Sequence, residues 1–181
     1  MTIDCTISAV IDVKSAGSVD KGRRRCTAYA RAMRLPGRTD YALRAVLELA
    51  AAPDGPVTTD ELSDRQDIPT SYLGAILAEL RKANIVHARR GVEGGWTLAR
   101  PAADITLADV IRAVDGALTN VAGTRPEDLH YAGAAAGLPQ VLVALRAAER
   151  QILESVSLAD VVQGHLPARV RKLTEDPAAW H

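Results

Sequence analysis

The stretch TTDELSDRQDIPTSYLGAILAELRKANIVHARRGVEGGWTLAR, residues 58–100, contains in order a helix, a tight turn, a second helix and a two-stranded hairpin. Thr58 and Glu61 stand three apart, so the hydroxyl can accept from an orphan N–H of the first turn while the carboxylate reaches back to the cap. A helix therefore starts there, with Leu62 as its apolar anchor and Asp67-Ile68-Pro69 as its stop. Pro69 suits the first position of the next helix, where its missing N–H would be unpaired in any case. In that helix Leu73, Ile76, Leu77 and Leu80 recur at helical spacing and predict a buried stripe, which leaves Thr70, Ser71, Gly74, Ala75 and Ala78 on other faces. Ile85 and Val86 open a strand, Gly91 with Gly94-Gly95 supplies a turn that tolerates positive φ, and Trp96-Thr97-Leu98 returns. This order is the build of a winged helix-turn-helix.

The charges in the same stretch bear on its partner. Between Arg81 and Arg100, the basic residues Arg81, Lys82, Arg89, Arg90 and Arg100 stand against the single acid Glu93, a local excess within a chain whose net charge is zero. Phosphate is the natural partner of such a patch. The small, polar start of the second helix lets a backbone approach a base edge closely. We therefore take Thr70, Ser71 and Tyr72 at the start of that helix, Arg81 and Lys82 at its end, and Arg89, Arg90, Gly94 and Gly95 in the wing as candidate contacts to double-stranded DNA. Two alternatives stay open, because a fold alone does not fix function. One is a winged helix that binds proteins. The other is a small-molecule enzyme, against which stands the lack of any visible Ser-His-Asp, P-loop or paired-carboxylate arrangement.

Composition narrows the classes further. A chain of 181 residues, 48% of them hydrophobic, is long enough for one or two small domains with a real core. Aromatics are 3% and Phe is absent, so there is no platform for stacking single-stranded bases and duplex recognition fits better. Residues 1–32 hold six basic and three acidic side chains, residues 33–100 nine of each, and residues 101–181 seven and ten; the C-terminal part is not a nucleic-acid surface. Cys5 and Cys26 both precede Met33, which excludes a disulfide framework or cysteine-based metal site from the rest and fits a reducing cytoplasm. No apolar run approaches the roughly 20 residues that span a bilayer. The basic run Lys21 to Arg25 follows the apolar stretch Ile7 to Val13, the reverse of a secretion signal. A cytoplasmic protein without a membrane partner is expected.

The chain divides into four parts. Residues 1–32 read as a disordered extension, with an over-long reading frame ahead of Met33 preferred to a basic arm. Residues 33–100 form the winged domain, 101–165 a helical dimerisation and sensing region, and 166–181 a frayed tail that includes the basic turn Arg169 to Lys172. From Thr39 the run DYALRAVLELAAA is apolar nearly all round, with Arg44 and Glu48 as an i,i+4 pair, and must be buried. Thr106 and Asp109 cap a helix with Leu107, Val110, Ile111 and Val114 in one stripe and Gly116 at its end. Residues 117–137 read as a long loop, a type that is usually functional or disordered, with His130 and Tyr131 as candidate effector contacts. Leu138 to Val156 is predicted as a 19-residue helix, about 28 Å long. Its Leu138, Val141, Leu145, Ala148 and Ile152 are spaced 3-4-3-4, with Leu142 beside them, and form a seam for a second copy of the chain; Arg146, Glu149, Arg150 and Glu154 are expected on the opposite, wet side. Ser157 to Asp160 begins a short helix that Gly164 stops. The predicted fold is mainly α with a small β-hairpin wing, a winged helix-turn-helix followed by a long dimerisation helix.

The words DYALRAVLELA, IPTSYL, LRKANIV, RRGVEGGWTLARP and ITLADVIRAVDG, in that order, resemble the Rrf family of bacterial winged-helix transcription regulators, the group that includes IscR, NsrR and CymR. The likeness covers residues 33 to about 163. It implies a homodimeric repressor or activator, with repression the expected direction, its second helix in the major groove of a near-palindromic operator and its wing beside the minor groove. Many such proteins hold an iron–sulfur cluster through three cysteines in the loop after the VDG helix, but Ala117 to Gly137 contains none. Where relatives draw ligands from an acid and a histidine of the first helix, this chain has Asp40 and Arg44, and a guanidinium cannot bind a metal. No cofactor and no metal are therefore expected, and sensing passes to a small molecule or protein partner.

Overall fold

Thr58 holds the start of the first helix of the reading head from both sides. Its hydroxyl accepts from the Glu61 N–H at 3.2 Å, and the Glu61 carboxylate accepts from the Thr58 N–H at 2.7 Å. The computed structural model describes residues 35–52, 54–91 and 93–180; the expected extension 1–32 lies outside them. The helices are α1 (Gly37–Ala51), α2 (Thr59–Gln66), α3 (Thr70–Lys82), α4 (Leu107–Asp115), α5 (Leu138–Leu153), α6 (Leu158–Gln163) and α7 (Ala168–Thr174). The strands β1 (Val86–Arg89) and β2 (Gly95–Leu98) pair antiparallel, with Val86 opposite Leu98 and Arg89 opposite Gly95.

The helix-turn-helix corner is three residues long. Asp67 adopts the left-handed conformation (φ 50°, ψ 48°) that ends α2, Ile68 is buried as a plug, and Pro69 stands just ahead of α3 rather than inside it. Leu73, Ile76, Leu77 and Leu80 are each at most 1% exposed, so the predicted stripe of α3 is the face that packs on α1 and α2. Each such side chain contributes about 1.5–3 kcal/mol relative to exposure. Helix α1 supplies Ala42, Ala45, Val46 and Leu49 to the same core, against α3, α4, α6 and β2.

Helices α4 and α6 start side by side. Thr106 and Ser157 each head a capping box, with Asp109 and Asp160 as the reciprocal acids. Their caps are joined by a β-bridge in which Leu107 N–H donates to Val156 O at 3.0 Å and Leu158 N–H to Ile105 O at 2.9 Å. Val156 is thus a buried residue beyond α5, which stops at Leu153 after 16 residues.

Four further expectations need correcting. Arg44 pairs with Asp40 at 3.3 Å, one turn upstream, while Glu48 receives Gln66 and Arg65 from α2; the tertiary partner displaces the local one. Residues 117–137 are not unstructured, since they hold 3-10 turns at Pro126–Asp128 and Gly133–Ala135 and a Val121–Thr124 bridge, with Pro126 and Leu118 buried. The tail forms α7 and a 3-10 turn at Pro177–Trp180. Finally, the side of α5 expected to be wet is only partly so: Arg146 and Glu149 are half-buried and bond to Glu127 and Thr119 of the same chain, while Arg150 and Glu154 stay exposed, with Glu154 bonded to Arg112.

Candidate nucleic-acid interface

Helix α3 begins without a side-chain cap, so its first N–H groups have no side chain to satisfy them and its dipole favours an anion there. Thr70, Ser71, Tyr72, Gly74 and Ala75 are all exposed along this half of the helix. Thr70 donates its hydroxyl to Ser63 Oγ at 3.2 Å, which ties the start of α3 to α2. Tyr72, 57% exposed, meets Tyr41 edge-on at 6.0 Å between centroids, and the Arg44 guanidinium lies 5.2 Å from the Tyr41 ring. Gly37, Arg38, Tyr41, Ser71, Tyr72, Ala75 and Ile76 line an open cleft of about 400 Å³ beside the reading face. The sequence reading missed Arg38 and Tyr41, because a first helix that is nearly all apolar gives no sign that its N-terminus sits beside α3. Arg38 is bonded to Glu79 of α3.

The wing is anchored by a third strand-like residue. Val57 and Trp96 exchange backbone hydrogen bonds of 2.9 and 2.8 Å, and the indole Nε1–H of Trp96 donates to Thr59 Oγ1 at 3.1 Å. Gly95 is required by closeness: a Cβ there would stand 2.7 Å from the Val57 carbonyl oxygen. Gly94 would similarly strike the Arg89 carbonyl oxygen, and Gly91 takes φ 116° at the tip. Arg89 and Arg90 are exposed at this tip, and Arg81 and Lys82 at the end of α3. None of the four has an ion-pair partner among the described residues. Arg100, counted with this patch from the sequence, is spent elsewhere: it donates to Asp104 O at 3.1 Å and lies 3.8 Å from Asp109. The cationic surface is therefore four side chains, split between the end of α3 and the wing.

The remaining candidates lie apart. On α5, Leu138, Val141 and Leu145 are 46%, 63% and 36% exposed, Ala148 is exposed, and Leu142 and Ile152 are half-buried. No residue of α5 is buried. His130 is exposed and donates from Nδ1 to Asp128 O at 3.0 Å, and Tyr131 is exposed nearby.

An exposed small-residue start of α3 and a basic hairpin wing in one domain are the parts of a winged helix-turn-helix DNA-binding transcription regulator, and the likeness to known proteins gives the same class. The chain belongs to the Rrf2 family, described as iron-dependent transcriptional regulators, which matches residues 35–164. It is 44% identical over 145 residues to a Mycobacterium tuberculosis protein assigned as an HTH-type transcriptional regulator, covering 80% of this chain and 90% of that one. To the IscR regulator of Photobacterium profundum it is 44% identical over 84 residues, 46% of this chain and 49% of the relative. Among solved structures, IscR of T. potens matches with a TM-score of 0.61 at 28% identity, over 73% of this chain and 88% of that one. Regulators throughout this set support the transcription-regulator reading and lend none to the enzyme or protein-interaction readings.

The family description names iron, which calls for a set of donors. A cluster needs thiolates, and residues 117–137 offer none. In α1 the Arg44 guanidinium is already paired with Asp40, and no group of three or more His, Cys, Asp or Glu among the described residues could hold a metal. These residues do not fit an iron–sulfur cluster. Among the described residues no helix is long and apolar enough to cross a membrane.

Proposed function

We propose that the chain works in the cytoplasm as a homodimer that seats α3 in the major groove of a near-palindromic operator, with the wing against the flanking backbone. The observation that carries this is that one winged domain combines an uncapped, exposed small-residue start of α3 with a wing whose Arg89 and Arg90 have no ion-pair partner among the described residues. Ser71 and Tyr72 then read base edges, and Arg81, Lys82, Arg89 and Arg90 neutralise phosphates. Pairing falls to the α5 seam, which this chain leaves half-exposed. Signals enter at the segment 117–137 between α4 and α5, without a cluster.

The test is a gel shift on the protein's own promoter against random duplex. Arg90→Ala should weaken binding to both and lower the salt slope by about one. Ser71→Ala should act on the specific site alone, by about 1 kcal/mol. Unchanged affinity in both variants overturns the assignment.

A further inference from the structure

Between α4, the 3-10 turn at Pro126–Asp128 and α5 lies a cavity of about 230 Å³ whose lining includes four arginines, Arg112, Arg125, Arg146 and Arg150, with Glu127 the one acid and Leu118 in the wall. Four guanidiniums from three separate elements around one small space repel each other unless something neutralises them. Glu154 receives Arg112 and also Arg150 Nε at 3.0 Å. Asp128 receives Arg125 Nε at 3.2 Å, and Glu127 receives Arg146 Nη1 at 2.6 Å. Asp128 and Glu154 do not line the cavity, so they hold the arginines from outside while leaving hydrogen-bond donors over. Each guanidinium carries five N–H groups. Among the described residues, both Nη groups of Arg125 and of Arg150 have no hydrogen-bond partner.

We propose that this cavity binds a compact dianion, a phosphoryl group or a short dicarboxylate, through the forks of Arg125 and Arg150 with Arg112 and Arg146 behind them. Guanidinium forks match the paired oxygens of both groups. The volume lies below the ~300–1,000 Å³ of pockets for drug-sized ligands, and the lining contains no aromatic ring on which a nucleobase could stack. Arg146 is only 20% exposed, which limits screening of its charge by salt. A bound dianion would clamp α5 to α4, the helix that packs on α1 and α3. That regulatory consequence rests on the DNA-binding reading above, whereas binding of the anion does not.

The experiment is therefore done on the full chain without DNA. Inorganic phosphate and succinate are titrated separately by calorimetry at constant ionic strength, with acetate and chloride as controls. Saturable binding of phosphate, succinate or both is expected, with the tighter of the two identifying the group the site prefers, and no saturation by acetate or chloride. Arg150→Ala and Arg125→Ala, both at well-exposed positions, should each weaken it at least tenfold while the chain still folds and melts cooperatively in the absence of ligand. Arg150→Lys, which keeps the charge and loses the fork, should fall between. Heat from ionic strength alone, equal response to acetate, or unchanged affinity in both alanine variants overturns the site.

Discussion

Gly74 and Gly95 separate stability from recognition one residue at a time. Gly74 lies exposed inside α3, where an added Cβ meets nothing within 4 Å. Gly74→Ala should therefore raise stability by about 0.5–1 kcal/mol, since alanine loses less freedom in a helix. The same methyl stands on the reading face and should lower affinity for the specific operator, so melting temperature and gel shift should move in opposite senses. Gly95→Ala drives a Cβ to 2.7 Å from the Val57 carbonyl oxygen. Overpacking of this kind costs about 1–3 kcal/mol, to be read from the denaturant midpoint, and it displaces Arg89 and Arg90 along with the wing. The glycines were legible as turn formers in the sequence, but the strand-like approach of Val57 that demands Gly95 was not, because it rests on a single isolated bridge between Val57 and Trp96, far apart in the chain. Arg100 was misread for a related reason: its composition says phosphate contact, and only the fold brings Asp104 and Asp109 to it.

Helix α5 shows the same division between local and long-range information. Its carboxylate partners are tertiary: Glu127 is held below the ordinary glutamate range first by the hydrogen bond from Arg146, and Glu154 first by that from Arg112 and then by Arg150. Groups whose folded pKa is depressed stabilise the fold above their unfolded pKa, about 4.3 for glutamate, and lose that contribution as pH falls through the folded value. Glu154→Gln should thus melt below the native protein at neutral pH, with the gap closing as pH drops under about 4.3; a gap independent of pH would mean that the carboxylate is not what ties α5 to α4. The three capping boxes of α2, α4 and α6 were legible, or partly so, because each is settled by two side chains three residues apart. The orientation of α5 was not. Its charged residues are periodic enough to look like a solvated face, and only the placement of Thr119, Glu127 and Arg112 beside it ties that face to the same chain.

At the scale of the whole molecule this tethering of α5 has a consequence for assembly. The charged side of the helix is engaged with its own chain, so the apolar seam faces away: Val141 is 63% and Leu138 46% exposed. Leu142, one turn before Arg146, is half-buried on the side of the chain itself and contributes less to pairing than the seam read from sequence assumed. Iron supplies an independent check on the molecule. Anaerobically purified protein should be colourless and free of iron, because loop 117–137 contains no thiolate; a visible iron–sulfur band would refute this. A 16-residue helix is about 24 Å long, enough for the 3-4-3-4 seam to pack along its own copy about a two-fold axis. Such an axis sets two α3 helices about one turn of DNA apart, or a multiple of it, and calls for a near-palindromic site. Leu145→Asp, at the centre of the seam and 36% exposed, leaves the monomer core untouched but places two charges face to face in a dimer. Light scattering should report a monomer, and binding to the palindrome should fall while binding to random duplex changes little. A variant that remains dimeric and still binds the palindrome would place the pairing surface elsewhere on the chain.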